Sequence, residues 1–207
     1  MIRRSVMTLY SSGRDIYSHQ VRLALAEKGV SVDVLNVDEN HPCESLAEIN
    51  PYNSLPTLVD RDLVLFEPRV IMEYLDERFP HPPLLPVYPV ARAKSRLMMY
   101  RIERDWYSLY HQMMVNDGIR SEESAKALLD SVISLEPVFK QLPYFLSEDY
   151  TMDDCCLGPL LWRLLGFGMT FPKKAVGLHA YAKRIFTRET FQASLSEIER
   201  ELTDGVL

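Results

Sequence analysis

A chain of 207 residues with 47% hydrophobic and 25% charged side chains is long enough to bury one large core or two small ones. Its 23 basic and 29 acidic side chains leave a formal net charge of −6, which argues against a protein that grips nucleic acid through a general excess of cations. No apolar run approaches the ~20 residues that span a bilayer, and the first residues are too briefly apolar for a secretory signal. Three cysteines, two of them adjacent at Cys155 and Cys156, form neither a disulfide framework nor a metal-ligand spacing. The expected compartment is a reducing cytoplasm.

The first eighty residues alternate strand-like runs with amphipathic helices. Ser5 to Tyr10 reads as a buried strand. Tyr17 to Lys28 reads as a helix, with Gly29 placed to cap its C-terminus. Val30 to Val37 alternates apolar and polar side chains, the pattern of a half-buried strand. Leu46 and Ile49 suggest a short helix stopped by Asn50-Pro51. Two short strands, Leu55 to Asp60 and Leu63 to Phe66, flank the polar link Asp60-Arg61-Asp62 as a hairpin. Pro68 suits a first helical turn, and Val70, Ile71, Tyr74 and Leu75 give that helix one apolar stripe. The order β-α-β-α-β-β-α predicts a small mixed sheet with helices packed against it.

Between Pro80 and Pro89 lie five of the chain's 13 prolines. Each removes an N–H donor and fixes φ, so this stretch is expected to be a stiff, extended linker between domains. Beyond it the pattern is helical. Ile102, Trp106, Leu109 and Met113 share one face of a long helix, and Ala125 to Phe139 makes another. Thr151 and Asp154 have the spacing of a helix N-terminal capping pair, and the apolar run Cys155 to Leu165 marks a buried helix. A last pair is expected over Leu178 to Phe186 and Thr190 to Leu202.

This layout resembles the soluble glutathione transferases: a thioredoxin-like α/β N-terminal domain over 1–79, a proline-rich linker over 80–90 and an all-helical domain over 91–207. Leu55-Pro56 stands where that family keeps a cis-proline beside its ligand pocket. Val21 to Gly29 matches the family's first helix, and Thr151…Asp154 its capping box. Within it, one branch is matched more specifically by Asp15 to Arg22, Ile71 to Pro83, Pro86 to Arg92, Arg101 to Tyr107 and Phe191 to Leu195. These segments resemble the stringent starvation protein A family. The resemblance implies a homodimer that binds RNA polymerase holoenzyme, at or near its sigma factor, and alters promoter use under starvation or acid stress. It further implies that a surface around Pro80, His81 and Pro82 carries the transcription role.

A glutathione transferase lowers the pKa of the glutathione thiol with a hydroxyl donor, or uses a cysteine, at the start of its first helix. That position is Asp15 here. A carboxylate repels a thiolate and, when ionised, donates no hydrogen bond. At Glu67-Pro68 the family has an acidic residue followed by a serine whose hydroxyl and N–H hold the γ-glutamyl carboxylate. Pro68 supplies neither donor, and each is worth roughly 1.5–3 kcal/mol to a charged acceptor. Asp15, Leu55, Pro56, Glu67 and Pro68 therefore form a degenerate glutathione site, and no catalytic residue is assigned. Asp15 also suits a plain helix cap. Ser11, Ser12 and Ser18 are nearby hydroxyls with turn and capping roles open to them.

Cys155 and Cys156 read as core packing. His19, His41, His111 and His179 lack partners at metal-ligand spacing, so neither a metal nor a cofactor is expected. The Pro80-His81-Pro82 segment serves equally as a spacer and as a preorganised, exposed docking loop; the resemblance favours the second, with Tyr88 and Arg92 as neighbours. The expected function is thus that of a non-catalytic partner of RNA polymerase. A glutathione-dependent transferase or isomerase is the alternative, and a small-ligand sensor built on the vacated pocket is a third.

Overall fold

The computed structural model describes residues 7–38, 44–114 and 121–203. Ser5, His41 and Cys43 lie outside them. Two compact units are present, one holding the chain up to Pro83 together with Glu189–Glu201, the other Leu84–Arg188 and the residues from Leu202.

In the first unit, β1 (Met7–Ser11), α1 (Ile16–Lys28), β2 (Val32–Asn36), α2 (Glu44–Ile49), β3 (Thr57–Asp60), β4 (Leu63–Leu65) and α3 (Pro68–Arg78) follow the expected order. Among the described residues, four strands form one sheet in the order β2-β1-β3-β4. β2 lies parallel to β1, as a crossover through a helix requires, while β3 is antiparallel to both β1 and β4. Arg61, at φ 61°, makes the tight link between β3 and β4. Gly29 ends α1 at φ 61°, the left-handed cap that its lack of a Cβ permits. Leu9, Val21, Leu23, Leu58, Ile71 and Leu75 are buried in this unit, with α1 packed against α3.

Two expectations fail here for a physical reason. β2 is not half-buried: Asp33 to Asn36 are exposed, because β2 is an edge strand. On α3 the buried face is shifted from the expected stripe, for Val70 faces solvent and Met72 and Asp76 are buried instead.

The linker expected over 80–90 is divided between the units. Pro80 to Pro83 stay with the first, whereas Leu84 and Leu85 are buried in the second, where the Leu84 carbonyl accepts the Met152 N–H. Pro89 then opens α4 (Pro89–Arg101), since its missing N–H costs nothing at a first helical position. α4 runs through a π-helical turn, Ile102–Tyr107, into α5 (Ser108–Met113). The single helix expected over 125–139 is two, α6 (Glu122–Ser134) and α7 (Glu136–Phe139), interrupted at Leu135 just before Pro137. α8 (Met152–Gly166) is buried throughout its apolar run, and the Asp154 carboxylate accepts the Thr151 N–H at 2.8 Å, the Phe145 N–H and the Tyr181 hydroxyl. α9 (Val176–Phe186) begins on Glu136, whose carboxylate accepts the Gly177 and Leu178 N–H groups at 2.9 Å each.

The last helix expected is also two, α10 (Glu189–Ser194) and α11 (Glu197–Glu201), separated where the Ser196 hydroxyl accepts the Glu199 N–H. This segment belongs to the first unit, not to the helical remainder as expected. Polar contacts hold it there: Arg22 reaches Glu199 Oε2 at 2.6 Å and the Ser194 carbonyl at 2.9 Å, Ser196 Oγ donates to the Gly13 carbonyl, and Thr190 donates to Glu27.

Candidate functional site

Strand register brings three loops to one end of the sheet. β1 ends at Ser11 beside the start of β3, with Tyr10 opposite Thr57, and β4 ends at Leu65 opposite Leu58. Asp15 follows β1, Leu55-Pro56 precedes β3 and Glu67-Pro68 follows β4. The Leu55–Pro56 peptide bond is cis. The buried Asn50 side chain braces the preceding turn, donating to Ser54 and Thr57 while its carbonyl accepts the Tyr52 N–H.

Asp15 is the N-cap of α1. Its carboxylate accepts the Tyr17 N–H at 3.2 Å and the Ser18 N–H at 2.6 Å. The neighbouring hydroxyls also act as acceptors within the loop: Ser18 Oγ takes the Ser12 N–H, Ser12 Oγ the Arg14 N–H, and Ser11 Oγ an Arg22 N–H at 2.6 Å. At the third loop Glu67 is exposed and makes no side-chain cap, and Pro68 occupies the first position of α3 with no N–H to offer.

Beside the loop that follows β1 a cleft of about 410 Å³ is lined by Ser11, Arg22, Asn36, Ser194, Ser196 and Arg200. Ser194, one of the lining residues, has its Oγ 3.0 Å from the buried His19, whose other ring nitrogen lies 3.4 Å from Glu199 Oε1. The series serine, histidine, carboxylate has the composition of a hydrolytic triad, but Ser194 is buried and its hydroxyl donates to the Phe191 carbonyl at 2.7 Å. The arrangement fastens α10 and α11 to α1.

At the other end of α1 the Pro80-His81-Pro82 segment is exposed. The Lys28 ammonium, whose side chain is 0% exposed, bonds Asp76 Oδ1 at 2.5 Å and the Pro82 carbonyl. Lys28 and Asp76 escape sequence reasoning because a lysine closing a helix reads as an ordinary cation at the negative end of its dipole. Tyr88 and Arg92 belong to the second unit. Tyr88 is 79% exposed, while Arg92 Nε donates to the Pro86 carbonyl at 2.9 Å, which ties it to the turn that opens α4. Among the described residues no group of three or more His, Cys, Asp and Glu side chains is arranged to hold a metal ion, and no helix is long and apolar enough to cross a membrane.

Sheet order, the loop convergence and the helical second unit define a glutathione transferase-like architecture. The family model of the glutathione S-transferase N-terminal domain matches residues 5–77. A glutathione transferase E6 structure from Drosophila melanogaster superposes with a TM-score of 0.84 at 19% identity, covering 96% of this chain and 94% of that one. The stringent starvation protein A homologue of Coxiella burnetii is 58% identical over 212 residues, covering 100% of both chains. That of Pasteurella multocida is 51% identical over 194 residues, covering 93% of this chain and 92% of the relative. The chain therefore belongs to the stringent starvation protein A family.

Proposed function

We propose that this protein is a non-catalytic, cytoplasmic transcription regulator of the stress or starvation response that binds RNA polymerase holoenzyme, at or near its sigma factor, through protein–protein contacts. One observation carries the non-catalytic part: the Asp15 carboxylate is committed to two backbone N–H groups at the place where a thiol-activating donor has to stand. A bound thiolate there meets a fixed negative charge. Family membership supports the polymerase as partner. The docking surface is assigned to Pro80, His81 and Pro82, which are exposed and preorganised; Tyr88 and Arg92, of the second unit, are proposed separately as partner-binding residues. Arg92 acts mainly by holding the turn that presents Tyr88.

A homodimer is part of the same proposal. Val90, Leu97 and Tyr100 recur on one face of α4 and are 70%, 59% and 44% exposed, an apolar stripe fit to meet a second copy.

The test is retention from lysate. A tagged native chain is expected to retain polymerase subunits, and the Pro80→Ala, His81→Ala, Pro82→Ala triple variant to lose them at an unchanged melting temperature. A glutathione-dependent transferase or isomerase is the second reading, favoured by the exposed Glu67 carboxylate, which is available to the amine of a γ-glutamyl group. Its signature is retention on immobilised glutathione with turnover of a thiol-reactive electrophile.

A further inference from the structure

Five residues, Phe79 to Pro83, follow α3, and three of them are prolines without an N–H. Phe79 donates its N–H to the Leu75 carbonyl, finishing the helix, and the Arg78 guanidinium lies 5.5 Å over the Phe79 ring. Proline rings hold φ but leave the direction of the segment to whatever anchors it. Its carbonyls are the groups most able to do so.

One carbonyl is anchored from beneath. Lys28 closes α1 and Asp76 stands near the end of α3, so the two packed helices bring an ammonium and a carboxylate together out of solvent, with side chains 0% and 8% exposed. Their attraction offsets the desolvation of each. The ammonium has three donors, and one of them goes to the Pro82 carbonyl, directly after His81. The pair would link the helices without that third partner. Its presence couples the helix packing to the exposed turn.

We infer that Lys28 and Asp76 are positioning residues for the His81 surface: the buried pair fixes the Pro82 carbonyl and so sets the direction in which Pro80, His81 and Pro82 face a protein partner. The partner's identity as RNA polymerase rests on the function proposed above; the clamp itself does not. Holding the turn before binding removes part of the ordering cost.

The test uses the full-length chain with Lys28→Met and Asp76→Leu together, because removing both charges avoids burying either one without the other and keeps the packing apolar. The melting temperature is expected to stay close to native. The single His81 imidazole resonance is expected to broaden or double, and capture of polymerase to weaken about tenfold or more. A sharp, native His81 resonance in this variant overturns the inference, whether or not capture falls. Should the native chain capture no polymerase, the proposed function fails, and the His81 resonance still decides the clamp. Should the double variant unfold, the native protein decides it alone: scalar coupling between Lys28 Nζ and the Pro82 carbonyl carbon is the expected signature of their hydrogen bond. A slowly exchanging Lys28 ammonium without that coupling contradicts it.

Discussion

The two ends of helix α1 have been put to opposite uses. Its N-terminus lies where the transferase architecture places its chemistry, and there the Asp15 carboxylate satisfies two backbone donors of the helix. Its C-terminus ends on Lys28, which pairs with Asp76 and supports the exposed turn around His81. A cap is a local device and can be replaced by another short polar side chain. The pair at the far end is not local, since it ties together residues 48 and 54 positions apart. The function proposed above puts the lost chemistry at one end of this helix and the partner surface at the other.

Breaking the pair on one side only tests this contrast most severely. Lys28→Met removes the ammonium 2.5 Å from the buried Asp76 carboxylate and is expected to cost about 3–5 kcal/mol in urea unfolding, whereas the double replacement recovers most of that loss. Equal costs for the single and double variants contradict an ion pair at this end.

The start of α8 sharpens the comparison through pH. Asp153 is buried, its Oδ1 has no hydrogen-bond partner, and burial, together with the neighbouring Asp154, raises its pKa from 3.8 to about 7. The folded state then keeps a proton that the unfolded chain releases above about pH 4. Its contribution to stability is present in mild acid and is lost as pH rises towards 7. Burial raises Asp154 to about 6 in the same sense. Asp153→Asn is expected to stabilise the chain by roughly 2–4 kcal/mol at pH 8 and much less at pH 5, measured by thermal unfolding at both. A uniform gain, or a loss at pH 8, contradicts this account of the buried carboxyl.

The smallest effect belongs to Asp15. Asp15→Ala is expected to cost about 1 kcal/mol, the usual worth of a helix cap, and Asp15→Ser to stay within about 0.5 kcal/mol of native. Neither is expected to bring glutathione turnover, because Pro68 still lacks the donors for the γ-glutamyl carboxylate. Turnover in Asp15→Ser alone sinks the view that two separate losses disabled the pocket.

What was legible in the chain was what is encoded locally. Gly29 as a left-handed cap, the Arg61 turn, the Thr151 and Asp154 pair and the proline that opens α3 are all set within a few residues of one another. Alternation in 30–37 identified a strand but carried no sign of whether another element would cover it, and among the described residues none covers β2 from Asp33 to Asn36. An amphipathic pattern in 190–202 likewise indicates a helix and not the body it packs against. The return of α10 and α11 to the first unit depends on His19 and Arg22 meeting Ser194 and Glu199 across some 170 residues. At the candidate site Asp15 and Pro68 were legible because what each offers a ligand concerns a single residue's charge or donors. The support beneath His81 was not, since a buried ion pair leaves no periodic trace.

The most direct test of where the function resides measures both ends of α1 in one experiment. Native chain and the Pro80→Ala, His81→Ala, Pro82→Ala variant are passed, as tagged full-length proteins, over purified RNA polymerase holoenzyme and over immobilised glutathione. The account predicts polymerase binding by the native chain alone and no retention of either protein on glutathione. Polymerase binding that survives the triple substitution, or clear retention of the native chain on glutathione, contradicts it.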